Sequence, residues 1–78
     1  MHGEEIIMLF EKLIITRMRD TVAEVVITTG LMYGHKILTI GAYRFIELGD
    51  NCVVVEGERF YAKCSTWEEL EVIYKAMR

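Results

Sequence analysis

The spacing of hydrophobic positions changes twice along the chain. Between Ile6 and Ile15 eight of ten positions are apolar: Ile6, Ile7, Met8, Leu9, Phe10, Leu13, Ile14 and Ile15. Glu4 and Glu5 stand before this run and Arg17 and Arg19 after it, which is the charge order a helix dipole favours, so the pattern predicts a helix over about 4–19. A helix packed on one side needs only an apolar stripe, whereas this one is apolar most of the way round. The C-terminal segment differs. Ser65 and Glu68 stand in capping-box spacing, and Trp67, Leu70, Ile73 or Tyr74, and Met77 recur three and four apart, predicting an ordinary amphipathic helix over about 66–77.

Between the helices, β-branched and aromatic residues cluster in segments separated by glycine. They predict five strands, roughly 21–28, 31–40, 43–48, 52–56 and 59–64. Gly41-Ala42 and Gly57-Glu58 each put glycine at the first central position of a two-residue turn. The first turn sets Ile40 opposite Tyr43, Leu38 opposite Phe45 and Ile37 opposite Ile46. The second sets Glu56 opposite Arg59, Val55 opposite Phe60 and Val54 opposite Tyr61. Such aromatic, β-branched and opposite-charge pairs stabilise a ladder. Thr29-Gly30 is expected to close the first hairpin, with Ile27 opposite Met32, Val26 opposite Tyr33 and Glu24 opposite His35; Gly34 then bends the long second strand. Gly49-Asp50-Asn51 supplies the remaining turn.

The expected architecture is α+β: an N-terminal helix, an antiparallel meander of about five strands forming a bent sheet or a small SH3-like barrel, and a C-terminal helix. All of it belongs to one domain, residues 1–78. Through Thr29-Gly30, the bending Gly34 and the alternation after it, the meander resembles the small barrels of Sm-like and SH3-like proteins. It departs from the Sm pattern in the tight hairpin at Gly57-Glu58 and in the capped helix after the last strand. No RNA-contact motif matches residue by residue, so the resemblance supplies no site residues.

Composition narrows the readings. The 78 residues are 53% hydrophobic and 27% charged with a net charge of −3, which describes a folded chain, and no apolar run approaches the roughly 18 residues of a membrane span. The acidic balance argues against a binder that depends on a dense basic face. Arg44, Arg59 and Lys63, with Lys36 and the nearby Tyr33, Tyr43 and Tyr61, are the ingredients of a single-strand platform, yet residues 20–64 hold four bases against six acids. Two cysteines are too few for a disulfide framework, and no secretion signal is evident, so a reducing, cytoplasmic setting is expected. In the predicted register Cys52 and Cys64 point to opposite faces; they read as small buried hydrophobes, and the paired spacing of a metal site is lacking. No cofactor is implied. The absence of Gln, with one Asn, one Ser and ten Glu, is a bias of heat-adapted proteins.

His35 facing Glu24 is the one constellation suited to acid–base chemistry, since a carboxylate orients a histidine and raises its pKa. It is also an ordinary cross-strand pair. A domain this small draws only a few kcal/mol from one core and needs a disulfide, a metal or a second copy. The first two are not visible, and the first helix and both sides of the central hairpins carry more apolar surface than one chain covers. The sequence therefore predicts a homodimer or higher homo-oligomer, with Ile6, Ile7, Phe10, Leu13 and Ile14 as the candidate interface. The expected function is a small non-enzymatic homo-oligomeric interaction or regulatory protein, of the kind viruses and mobile elements carry. The alternatives are a small β-barrel nucleic-acid binder, or an enzyme with a subunit-interface site around His35 and Glu24.

Overall fold

The computed structural model describes residues 7–30 and 34–77. In chain order these form α1 (Leu9–Asp20), β1 (Ile27–Thr29), β2 (Lys36–Ile40), β3 (Tyr43–Gly49), β4 (Cys52–Gly57), β5 (Phe60–Cys64) and α2 (Trp67–Ala76). The strands make one antiparallel sheet in sequence order, β1-β2-β3-β4-β5. The α+β meander is thus as expected, and of the two expected forms the open sheet is found; it does not close into a barrel.

The Gly41-Ala42 hairpin has the predicted register, Ile37 to Ile46, Leu38 to Phe45 and Ile40 to Tyr43. Gly41 adopts a φ of 59°, the left-handed value that the first central residue of this turn requires. The other two glycine turns differ from expectation. At the fourth strand the pairing is Gly57 to Phe60 and Val53 to Cys64, so Glu58 and Arg59 form the turn, and Glu56 faces Tyr61 rather than Arg59. Gly57 is inside the strand because the Tyr43 ring lies over it: a Cβ there would come within 2.7 Å of the ring. The shift is by two residues, so every side chain keeps its predicted face. In the first hairpin Ile27 pairs with Leu38 and Thr29 with Lys36, a six-residue displacement from the predicted register. The loop closes on Gly30, whose N–H donates to the His35 carbonyl at 2.8 Å, and Gly34, with φ of 69°, lies in that loop rather than bending a strand. The predicted partners Met32 and Tyr33 lie outside the described residues.

Alternate rows of the ladder turn Leu38, Ile40, Phe45, Val53, Val55 and Cys64 to one face, where they form the core with Leu9, Phe10 and Leu13 of α1 and Leu70 and Tyr74 of α2. Both helices therefore lie on the same side of the sheet. Lys12 Nζ sits 4.9 Å from the Trp67 ring centre, and Tyr74 donates its hydroxyl proton to Asp20 Oδ2 at 3.0 Å. Early residues of α1 meet early residues of α2 and late meet late, so the helices run side by side in the same direction.

α1 begins at Leu9, not near Glu4, because Met8 is already extended and offers no side-chain cap; the Leu9 N–H is instead directed at the Asp50 carbonyl, 3.4 Å away in the β3–β4 turn. Glu4 and Glu5 lie outside the described residues. α2 has a complete capping box on Thr66 and Glu69, one residue later than the predicted Ser65 and Glu68: the Thr66 hydroxyl accepts from the Glu69 N–H, and Glu69 accepts from the Thr66 N–H.

Candidate functional site

With both helices on one face, the other face of the sheet carries no helix among the described residues. Its central row is Ile37, Ile46, Val54 and Lys63; the next row is Thr39, Arg44, Glu56 and Tyr61. Three apolar side chains thus stand side by side at the centre, with Val54 fully covered by its neighbours and Ile37 and Ile46 half-buried. Arg44 makes a cross-strand salt bridge with Glu56, and Tyr61 beside Glu56 is exposed. Of the candidate nucleic-acid residues, Arg44 and Lys63 share this face, while Arg59 sits in the exposed β4–β5 turn. Tyr43 faces the other way, edge-on to Phe60 with ring centres 6.1 Å apart.

His35 and Glu24 do not meet as predicted. The β1–β2 register puts His35 at the loop end of the hairpin and Glu24 beyond its other end, so the acid–base pair is not assembled across the strands. The reason is the loop: the chain turns between Gly30 and His35 rather than at Thr29-Gly30, and every partner moves by six residues.

Cys64 lies in the core opposite Val53, and Cys52 is on the other face; both are free thiols. Burial pushes the Cys64 thiol pKa up, assisted by the Glu69 charge and by Cys52, which keeps it protonated at neutral pH. The Glu69 carboxyl is held below the usual range by the hydrogen bond it accepts from the Ser65 N–H, then by the Thr66 hydroxyl and N–H. No group of three or more metal-ligating side chains occurs among the described residues.

The candidate interface on the first helix divides. Phe10 and Leu13 are buried within the single chain, Ile14 is half-buried, Ile7 is exposed, and Ile6 lies outside the described residues. The residues that α1 turns outward are instead Ile15, 54% exposed, and Met18, 61% exposed. Further along the chain Val22, Val26 and Ile27 are also exposed, and Ile27 lines a groove together with Ile15. With Ile7, six of the ten large apolar residues exposed among the described ones belong to α1, its leading residues, or the segment that leads into and forms β1. A groove of about 190 Å³ separates the two elements, lined by Phe10, Glu11, Ile14, Ile15, Ile27 and Lys36. A second, open pocket of about 260 Å³ is lined by Tyr43, Phe60, the C-terminal half of α2 and Met77. Sequence reasoning missed Ile15 and Met18 because which side of an all-round apolar helix is free depends on where the sheet and α2 pack.

Compared with protein-family models, curated proteins and solved structures, the chain matches none of them.

Proposed function

We propose that the chain is a small non-enzymatic interaction or regulatory protein that works as a homo-oligomer, joined at the corner formed by α1 and β1. One observation carries this reading: the concentration of exposed Ile15, Met18, Val22, Val26 and Ile27 on adjoining elements. Exposed apolar side chains concentrated in one region of a fold favour an interaction site there, and a second copy is the commonest partner. A domain of 78 residues with two free cysteines also gains the stability that one small core does not supply.

The test is molar mass by light scattering at about 50 µM, well into the range where specific dimers persist. The wild-type chain is expected to run as a dimer, and the double variant Ile15→Glu with Met18→Glu as a folded monomer. A monomeric wild type overturns the reading.

A second reading rests on the open sheet face, where Arg44, Tyr61 and Lys63 stand together: a stacking residue and two cations on one uncovered surface suit single-stranded nucleic acid. It predicts oligonucleotide binding that weakens steeply with salt and is lost in Arg44→Gln with Lys63→Gln. The Arg44 pairing with Glu56 counts against it.

A further inference from the structure

Within the homo-oligomer reading, on which this inference rests, we propose that two copies join edge to edge through β1, antiparallel, to make one continuous ten-stranded sheet. The direction of the backbone groups is fixed by the loop. Gly30 donates to His35 across the hairpin, so in an antiparallel ladder Thr28, two residues away, also points its N–H and C=O towards β2. The intervening Ile27 and Thr29 therefore point theirs outward, away from the sheet. Among the described residues no strand lies beyond β1, so this edge is a row of donors and acceptors ready to pair with another strand.

Natural edges are blunted by lysine, proline, bulges or covering elements. The far edge, β5, carries Lys63 next to its last residue. The stretch from Val25 to Gly34 holds no charged residue and no proline, and Val25 to Thr29 is β-branched throughout. Nothing in it repels a strand of the same composition.

Self-pairing also satisfies the geometry. A two-fold axis through Thr28 sets Ile27 opposite the partner's Thr29 and Thr29 opposite the partner's Ile27, and these are the residues whose backbone groups face outward on each copy. Each pair exchanges two backbone hydrogen bonds. Ile27 is on the core face of the sheet, the side that α1 covers, so the partner's Ile27 extends the floor of the groove below Ile15. The partner is thus a second copy of this chain, and the exposed apolar corner is the flank of a strand joint.

Amide hydrogen exchange on the wild-type protein tests this directly, alongside molar mass over the same concentrations. In the dimer the Ile27 and Thr29 amides are protected, and dilution that dissociates it lowers their protection by about tenfold or more, while Thr28, bonded within its own hairpin, keeps its protection. Thr29→Pro, which removes an outward N–H and no ladder bond, is expected to give a monomer. A dimer by mass with Ile27 and Thr29 unprotected overturns the strand joint and leaves the homo-oligomer reading standing. A monomer at every concentration overturns both. If Thr29→Pro fails to fold, the exchange pattern of the wild type alone decides.

Discussion

Gly57 does work that no side chain but hydrogen allows. It lies in β4 under the Tyr43 ring, with Phe60 opposite and edge-on to that ring, and a Cβ at this position would come within 2.7 Å of Tyr43. Gly57→Ala is expected to cost about 1–3 kcal/mol, because the ring must leave its seat. In a Tyr43→Ala background the same change is expected to fall below about 1 kcal/mol, and urea titration of the four proteins of the cycle checks it. Glu69 acts by charge. Its folded-state pKa is lowered from the usual 4.5, so the stabilisation is present above that value and is lost as pH falls through the folded pKa. Glu69→Gln is therefore expected to be less stable than wild type at pH 7, with the gap narrowing in acid; a gap that stays constant on acidification rules out the carboxylate as its source.

The elements show what was legible in the chain and what was not. Gly41-Ala42 was readable because turn chemistry and cross-strand pairing agree there, and the register follows. Gly57 departs from the expected turn position because a glycine required for clearance looks the same in sequence as one required for a turn, and only the position of Tyr43 distinguishes them. The loop at Gly30 and Gly34 misled for a related reason: two glycines at its ends leave its length undetermined, and with it the partners of Glu24 and His35. The capping box expected on Ser65 and Glu68 lies one residue later, on Thr66 and Glu69, with Leu70 and Tyr74 buried beneath the helix. For α1 the core side and the free side were both apolar, so the candidate interface mixed them. The division has a measurable consequence. Leu13→Ala is expected to cost about 2–5 kcal/mol as a cavity in the core, whereas Ile15→Ala is expected to change the unfolding free energy of the monomer by less than about 1 kcal/mol.

At the level of the whole molecule, one sheet face is roofed by two helices that run in the same direction and the other is left without a helix among the described residues. Among those residues no helix is long and apolar enough to cross a membrane. The asymmetry gives the chain three kinds of surface: a core side, an outer sheet face with an apolar centre, and the apolar corner at α1 and β1. The sheet order has a further consequence, for kinetics. Because every strand pairs with its neighbour in sequence, the meander assembles by closing short loops one after another, each at small entropic cost. Two contacts far apart along the chain, Lys12 to Trp67 and Tyr74 to Asp20, join the two helices across the whole length of the meander. Docking of α1 against α2 closes the largest loop and is therefore expected after the folding barrier. Tyr74→Phe, expected to cost about 1–2 kcal/mol, should then leave the folding arm of a chevron plot in place and raise the unfolding rate by about tenfold. The bond between the helices is thus expected to act as a latch, setting the rate at which the chain comes apart and leaving the rate at which it forms unchanged.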